Sequence, residues 1–136
     1  GIHNGSESYP VRSIRDMKFK YIRNLSSSEP FYNLVTTRES SLFIDWMRHA
    51  PDSMRQLVAK YKFRPAEELY DIANDPFEMV NLATDPEYES IKQRLQKELG
   101  SWMKSQGDEG LATEMAALQR QERKNPWVSY NQRIKE

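Results

Sequence analysis

The feature of this sequence that most constrains its fold is a helical segment that begins near residue 86. Asp85 stands before Pro86, and two glutamates follow in the next three positions. Asp is a favoured N-cap, proline is favoured at the first helical position, and acidic side chains complement the positive end of a helix. Apolar residues then recur three or four positions apart and mark one buried face: Tyr88, Ile91, Leu95, Leu99 and Trp102. With Gly107 as a stop signal, the pattern predicts a helix over 86–105 that packs one face against another element.

That other element is predicted to be a small antiparallel sheet. Over residues 9–24 the side chains alternate in character with a period of two, and β-branched and aromatic residues are frequent, as in a strand pair. Asp16-Met17 lies where the hairpin turn should be. Residues 67–72 predict a further short strand, which we expect to pair beside the strand that contains Tyr21. The expected strands are therefore 10–16, 18–24 and 67–72.

A helical insertion is predicted between the second and third strands. Over residues 39–63 apolar side chains recur at helical spacing: Leu42, Phe43, Trp46, Met47, Met54, Leu57, Val58 and Tyr61. Pro51 divides this segment into two short helices. A further helical stretch is expected near 111–123, followed by an irregular tail over 124–136. The predicted fold class is α+β, a small antiparallel β-sheet with a long C-terminal helix on one face and the insertion between strands.

Composition restricts the classes of partner. The 136 residues fit one domain, and 20 basic against 20 acidic residues give a net charge of zero, which argues against a general nucleic-acid binder. No run approaches the ~20 apolar residues of a membrane span, so no membrane partner is expected. The absence of cysteine excludes disulfides, thiolate metal sites and cysteine nucleophiles within these residues. Because only 38% of the residues are hydrophobic, we expect some apolar surface to serve a partner, seen as self-association or as an exposed apolar cluster.

Several short motifs resemble a known family. Residues 68–72 (ELYDI), 74–78 (NDPFE) and 81–83 (NLA) resemble, in order and spacing, the signature ELYDL-x-x-DP-x-E-x-x-NLA near the C-terminus of many sulfatases. Upstream, residues 9–12 (YPVR) and 19–25 (FKYIRNL) resemble the strand pair that opens the same subdomain. The resemblance covers nearly the whole chain and is greatest to the heparan N-sulfatase, or sulfamidase, branch of the alkaline-phosphatase-like superfamily.

The resemblance implies that residues 1–136 form the C-terminal subdomain of a sulfatase that hydrolyses sulfate esters or N-sulfate groups of glycosaminoglycan-like sugars. The subdomain would shape the substrate cleft and stabilise the catalytic domain. Calcium and formylglycine would belong to that catalytic domain, and no catalytic residue, cofactor or metal ligand is expected here. The implied partners are the catalytic domain and a sulfated sugar, in the periplasm, outside the cell or in the lysosome. We expect the signature residues to be structural, with Leu69 and Ile72 in the sheet–helix core.

The resemblance also singles out the polar loop over residues 1–8, which would face the active-site cleft. His3 and Asn4 would then hydrogen-bond the sugar or the sulfate of the substrate, and the alternative is a terminus without such contacts. His49, the other histidine, closes a predicted helix, where a solvent-facing or C-terminal capping role is favoured.

One tempting match is rejected. Residues 8–12 (SYPVR) fit the S-x-P-x-R pattern in which sulfatases form formylglycine. In the family that pattern opens a helix and is followed by Thr-Gly, whereas here Ser13-Ile14 continue a strand-like alternation. No Asp-Asp pair precedes the match to bind a metal beside it. We therefore expect Ser8 to remain an ordinary serine.

Basic residues on the predicted hairpin are a second candidate for substrate contact. Lys18, Lys20 and Arg23 form a basic strip, with Arg12 and Arg15 nearby. A sulfated glycan could bind such a strip through charge. A solvated sheet face is the favoured interpretation, because acidic residues are equally numerous in the chain.

The three tryptophans are candidates for sugar-stacking platforms. Trp46 and Trp102 stand at helical spacing and are predicted to be core residues. Trp127 lies in the tail, and both interpretations stay open for it.

Two functions follow from the sequence. The first is a part of a sulfatase or sulfamidase, and the second is a free-standing non-enzymatic module that binds carbohydrate or a partner protein. A formylglycine motif and an Asp-Asp pair upstream in the same reading frame would favour the first. A start codon just before Ile2 would favour the second.

Overall fold

The computed structural model describes residues 9–31 and 42–120. In chain order the elements are strands β1 (Val11–Arg15) and β2 (Phe19–Asn24), helices α1 (Leu42–His49) and α2 (Asp52–Lys62), strand β3 (Glu67–Asp71), a 3-10 turn (Pro86–Tyr88) that runs directly into α3 (Glu89–Ser105), and α4 (Leu111–Arg120). The predicted α+β class is confirmed, since a three-stranded sheet carries a long helix and two helices stand between β2 and β3. The loop 1–8, the tail 124–136 and residues 39–41 of the predicted insertion lie outside the described residues.

The sheet has the order β1-β2-β3, and both neighbouring pairs are antiparallel. Ile14 lies opposite Tyr21, and Tyr21 lies opposite Leu69, so these three side chains share one face. The prediction that the strand from Glu67 pairs beside the strand of Tyr21 is confirmed.

The turn between β1 and β2 is built around Asp16, as the sequence predicts. Its carboxylate accepts the backbone N–H of Phe19 at 2.7 Å and that of Lys18 at 2.8 Å, and it accepts from the Arg94 guanidinium at 2.6 Å. The bond from Phe19, then those from Arg94 and Lys18, lower the pKa of Asp16 to about 2. The hairpin turn is thereby attached to α3 through a surface ion pair.

The core lies between the sheet and α3. Asp85 begins the helical segment as predicted, because its side chain accepts the backbone N–H of Glu87 at 2.9 Å. The buried residues of the core cluster are Phe19, Tyr21, Leu69, Ala83, Leu95, Leu99 and Met103. Phe19 also packs edge-to-face against Tyr88, with ring centroids 6.0 Å apart. These contacts fix α3 across the face that carries Tyr21.

Two assignments to this core are wrong. Trp102 is 54% exposed, and Met103, which is 7% exposed, takes the buried place at the end of the stripe. Trp102 lies beside β1, the edge strand of the described sheet, where no further described strand covers the outer side of the indole. Ile72 is only half-buried, because β3 ends at Asp71 and the chain turns away from the sheet there.

The two insertion helices pack on each other. Val58 is the buried residue of α2, whereas Trp46 of α1 is 40% exposed, so its assignment to the core is also wrong. The reason is that, among the described elements, α1 packs on α2 and makes no comparable contact with the sheet. Within residues 9–31 and 42–120 no helix is long and apolar enough to cross a membrane.

Candidate functional site

The sheet face opposite α3 carries a buried polar cluster. Asn24 and Glu68 are each 4% exposed, and Tyr70 is 9% exposed. Alternation along the strands places these residues on the face away from Tyr21 and Leu69. Buried polar groups must be hydrogen-bonded to be tolerated, so the contacts of this cluster define what it can do.

Glu68 is the centre of the cluster. Its Oε1 accepts from Asn24 Nδ2 at 2.6 Å and from Arg64 Nε at 2.9 Å. Its Oε2 accepts from the Tyr70 hydroxyl at 2.5 Å and from Arg64 Nη2 at 3.2 Å. Burial raises the pKa of Glu68, but the hydrogen bonds from Arg64, Tyr70 and Asn24 outweigh burial and leave the pKa below its usual value. The carboxylate is therefore charged at neutral pH and holds Arg64 in a fixed orientation.

Beside this cluster, the loop that follows β3 is held in an unusual conformation. Glu78 has a positive φ of 55°, which is uncommon for a residue with a side chain. Lys20 Nζ binds both carboxylate oxygens of Glu78, at 2.7 and 2.8 Å. Asp75 accepts the Val80 N–H at 2.9 Å, which closes the loop on itself. Phe77, in the same loop, projects into solvent and is 84% exposed.

The signature residue Asn81 attaches the same loop to the sheet. Its Oδ1 accepts the N–H of Leu69 at 2.9 Å and that of Ala83 at 3.0 Å, and its Nδ2 donates to the Glu67 carbonyl at 3.2 Å. These bonds satisfy backbone groups beside the strand. They support the structural role predicted for the signature.

A groove of about 470 Å³ lies between the end of α2, β3 and the loop of Phe77. The apolar residues that line it are Leu57, Tyr61, Phe63, Pro65, Phe77 and Met79. Its polar residues include Lys60, Arg64, Glu68, Tyr70, Glu78 and Asn81. A volume of this size and a mainly apolar lining with a few polar groups are typical of ligand sites, so this groove is the candidate functional site.

A run of aromatic rings connects the start of β1 to the groove. Tyr9 packs edge-to-face on Phe31, and Phe31 packs edge-to-face on Tyr61, each pair with centroids 5.2 Å apart. The Tyr9 hydroxyl and Asn24 Oδ1 are buried and have no hydrogen-bond partner among residues 9–31 and 42–120. Burial raises the pKa of Tyr9, so its hydroxyl is a neutral donor near Arg64 and Glu68.

Among the described residues, none of the site residues proposed from the sequence lines this groove. His3 and Asn4 lie outside the described residues, so their contact with substrate stays a prediction. His49 is solvent-facing as predicted: its side chain is 73% exposed and its Nδ1 lies 3.0 Å from Asp45 Oδ1.

The hairpin cations do not form a free basic strip. Lys20 pairs with Glu78, and Lys18 Nζ lies 3.8 Å from Asp71. Lys20 and Arg23 lie on opposite faces of the sheet, because they are three positions apart in one strand. The favoured interpretation, a solvated surface, agrees with this arrangement.

Arg12, the last residue of the rejected S-x-P-x-R match, has a structural role. Its guanidinium donates to both Asp108 oxygens, one of them at 3.1 Å, and its Nη1 lies 3.0 Å from Glu114 Oε1. The pair joins β1 to the residues before α4. Within the described ranges no group of three or more His, Cys, Asp or Glu side chains could hold a metal ion.

Sequence reasoning missed both Glu68 and Phe77 as site residues. The signal for Glu68 was present, since Glu68 and Tyr70 alternate with Leu69 and must share the face opposite the core. That face could equally have been solvated, and only the position of the insertion shows that it is covered. Nothing in the local sequence indicates that Phe77 points into solvent.

The sheet and the helix across it form an α+β module that carries the sulfatase-like signature at 68–83. An ulvan-active sulfatase of Formosa agariphila is 46% identical over 104 residues, or 76% of this chain. A second ulvan-active sulfatase of that organism is 35% identical over 108 residues, also 76% of the chain. Human N-sulphoglucosamine sulphohydrolase is 32% identical over 104 residues, or 74% of the chain.

The homologues of this chain are therefore sulfatases, and the matches are consistent with a sulfatase C-terminal region. It spans about a fifth of the length of these relatives, namely 19%, 18% and 21%. No family model matches the chain.

Proposed function

We propose that the chain is the C-terminal part of a sulfatase or sulfamidase that hydrolyses sulfate esters or N-sulfate groups of glycosaminoglycan-like or ulvan-like sugars. Within that enzyme it shapes the substrate cleft and stabilises the catalytic domain. The observation that carries the proposal is the identity of 32–46% to three named sulfatases over about three quarters of the chain. We further propose that the enzyme works in the periplasm, outside the cell or in the lysosome.

The reacting groups are assigned to the catalytic domain. Calcium takes six to eight oxygen ligands that converge on one point, and the described residues hold no cluster of that kind. Formylglycine is made from Cys or Ser, the chain has no cysteine, and Arg12 of the serine match is bound to Asp108. These residues do not fit either group, so no chemical step is placed on them.

The role that remains for this chain is to position residues that contact the substrate. The sheet and α3 form a rigid body, because the core side chains of Tyr21, Leu69 and Leu95 are fully buried. The start of β1, to which residues 1–8 are attached, is therefore held at a defined place. We propose that residues 1–8 are that loop and that His3 and Asn4 hydrogen-bond the sugar or the sulfate of the substrate.

The proposal is tested with the polypeptide encoded by the complete gene and with the 136-residue chain alone. The complete polypeptide should hydrolyse a sulfated saccharide, and His3→Ala should raise KM for that saccharide while leaving turnover of a small aryl sulfate unchanged. His49→Ala is the matched control, since His49 is exposed at the end of α1. The 136-residue chain should hydrolyse no aryl sulfate.

Two results would count against this proposal. Turnover of an aryl sulfate by the chain alone, lost in Ser8→Ala, would mean that the reacting group lies in these residues. A complete gene without a formylglycine motif or an Asp-Asp pair would favour the alternative function, a free-standing module that binds carbohydrate or a partner protein.

A further inference from the structure

We propose that the groove between α2, β3 and the loop of Phe77 is a binding subsite for a sulfated saccharide. The ligand class rests on the proposed function, because a sulfatase that acts on sugars works on sulfated saccharides. The exposed rings, the charge and the fixed backbone of the groove support a binding site at this place.

Two exposed aromatic rings stand at the groove. Phe77 is 84% exposed and Phe63 is 62% exposed, although both line the same groove. Large apolar side chains held in water are unfavourable, and clustered ones mark ligand grooves or interaction surfaces. The face of an aromatic ring carries partial negative charge and attracts polarised hydrogens, such as the C–H groups on one face of a pyranose ring. Exposed rings that border a groove of about 470 Å³ can therefore stack on a sugar.

The backbone beside Phe77 is held in place before any ligand arrives. The next residue, Glu78, keeps its backbone at a φ of 55°, and Lys20 fixes it through both carboxylate oxygens at 2.7 and 2.8 Å. Strained backbone persists only where the surroundings determine it, and such positions concentrate at functional sites. A group fixed in its binding position loses less entropy when it binds.

The charge of the groove suits an anionic sugar. Lys60 is exposed and has no carboxylate partner in the described part of the chain. The two carboxylates of the groove are already neutralised, Glu78 by Lys20 and Glu68 by Arg64. The uncompensated charge at the groove is therefore positive and complements a sulfate group.

The polar lining of the groove also suits a saccharide. Arg64, Tyr70 and Asn81 bring polar groups to the lining, together with the aromatic residues. Sugars combine one apolar face with hydroxyl groups at the ring edge, so a lining with both polar and aromatic groups matches both parts. An apolar helix or loop from another protein would bring no negative charge to complement Lys60.

The test measures binding without any turnover. Calorimetry with the 136-residue chain should detect a heparan sulfate octasaccharide or an ulvan oligosaccharide of similar length, and the desulfated forms should bind more weakly. Phe77→Ala should weaken binding about tenfold through loss of the ring. Lys60→Gln should weaken binding about threefold and reduce its dependence on salt.

Matched control variants lie outside the groove. Met17→Ala removes an apolar side chain that is 94% exposed in the hairpin turn, and Lys97→Gln removes an exposed lysine of α3. Neither should change the affinity. Circular dichroism should show that Phe77→Ala folds normally, because its ring is 84% exposed.

Three outcomes would overturn the inference. One is the absence of saccharide binding, and another is binding that Phe77→Ala leaves unchanged. The last is sedimentation showing self-association that Phe77→Ala abolishes while no saccharide binds, which would make the groove a protein interface. These outcomes differ from failure of the proposed function, because the complete enzyme could hydrolyse sulfated saccharides with this groove empty.

Discussion

Replacement of Glu68 by alanine tests whether the buried polar cluster determines the stability of this module. The change removes the acceptor of the Tyr70 hydroxyl, and Tyr70 is only 9% exposed. Asn24 Nδ2 still donates a hydrogen bond to the Pro65 carbonyl at 2.6 Å. A buried donor left unsatisfied costs about 1–3 kcal/mol. Breaking a buried ion pair costs about 3–5 kcal/mol, but the Arg64 side chain is 24% exposed and can turn to water, which reduces that cost.

We therefore expect Glu68→Ala to lower the free energy of unfolding by about 3 kcal/mol, a large part of the about 5–15 kcal/mol of a typical domain. Urea denaturation followed by circular dichroism at pH 7 measures this. Glu98→Ala is the matched control, since Glu98 pairs with Arg94 at 3.2 Å on the surface of α3 and should cost less than about 0.5 kcal/mol. Equal costs for the two variants would refute the argument that Glu68 organises the cluster.

Three further predictions concern the core, the hairpin turn and the glycines. Leu95→Ala should lower the free energy of unfolding by about 2–5 kcal/mol, because Leu95 is 0% exposed. Leu111→Ala, the control at a residue that is 48% exposed, should change it by less than about 0.5 kcal/mol in the same assay. The pKa of Asp16 is lowered from 3.8 to about 2, so its carboxylate stabilises the fold above pH 4 and loses this effect as the pH falls towards 2. The stability difference between the native chain and Asp16→Asn should follow that curve, and a difference that stays constant from pH 5 to pH 2 would contradict the assignment. Gly100→Ala should stabilise α3 by about 0.5–1 kcal/mol because its added Cβ meets no atom, whereas Gly110→Ala should destabilise by about 1 kcal/mol because Gly110 has a φ of 69°.

The elements predicted correctly are those determined by neighbouring residues. The helix over 86–105 is present, as a 3-10 turn followed by α3, because Asp85 caps the N–H of Glu87 whatever else the chain does. The hairpin turn is equally local, since the Asp16 carboxylate accepts from residues two and three positions ahead.

The elements that could not be predicted depend on distant parts of the chain. Trp102 and Met103 are adjacent in α3, and which of them is buried depends on where the sheet ends beneath the helix. Glu68 stands next to Leu69, and its burial on the opposite face depends partly on Asn24, which is remote in sequence and donates to its carboxylate. Phe77 is exposed in a loop whose Glu78 carboxylate is bound by Lys20, a residue that is remote in sequence.

The point at which the insertion leaves the sheet is also the point at which it returns. Arg23 lies opposite Glu67, and the N–H of Asn24 donates to the Ala66 carbonyl at 2.9 Å, so residues 25–66 amount to one greatly lengthened hairpin loop. The entropy of closing a loop rises only with the logarithm of its length. The closure entropy therefore changes little if this loop is exchanged for a longer or shorter one that keeps Arg64 as the partner of Glu68. Because Lys60 and Tyr61 belong to that loop, such an exchange would remodel one wall of the groove while the core beneath α3 stays the same.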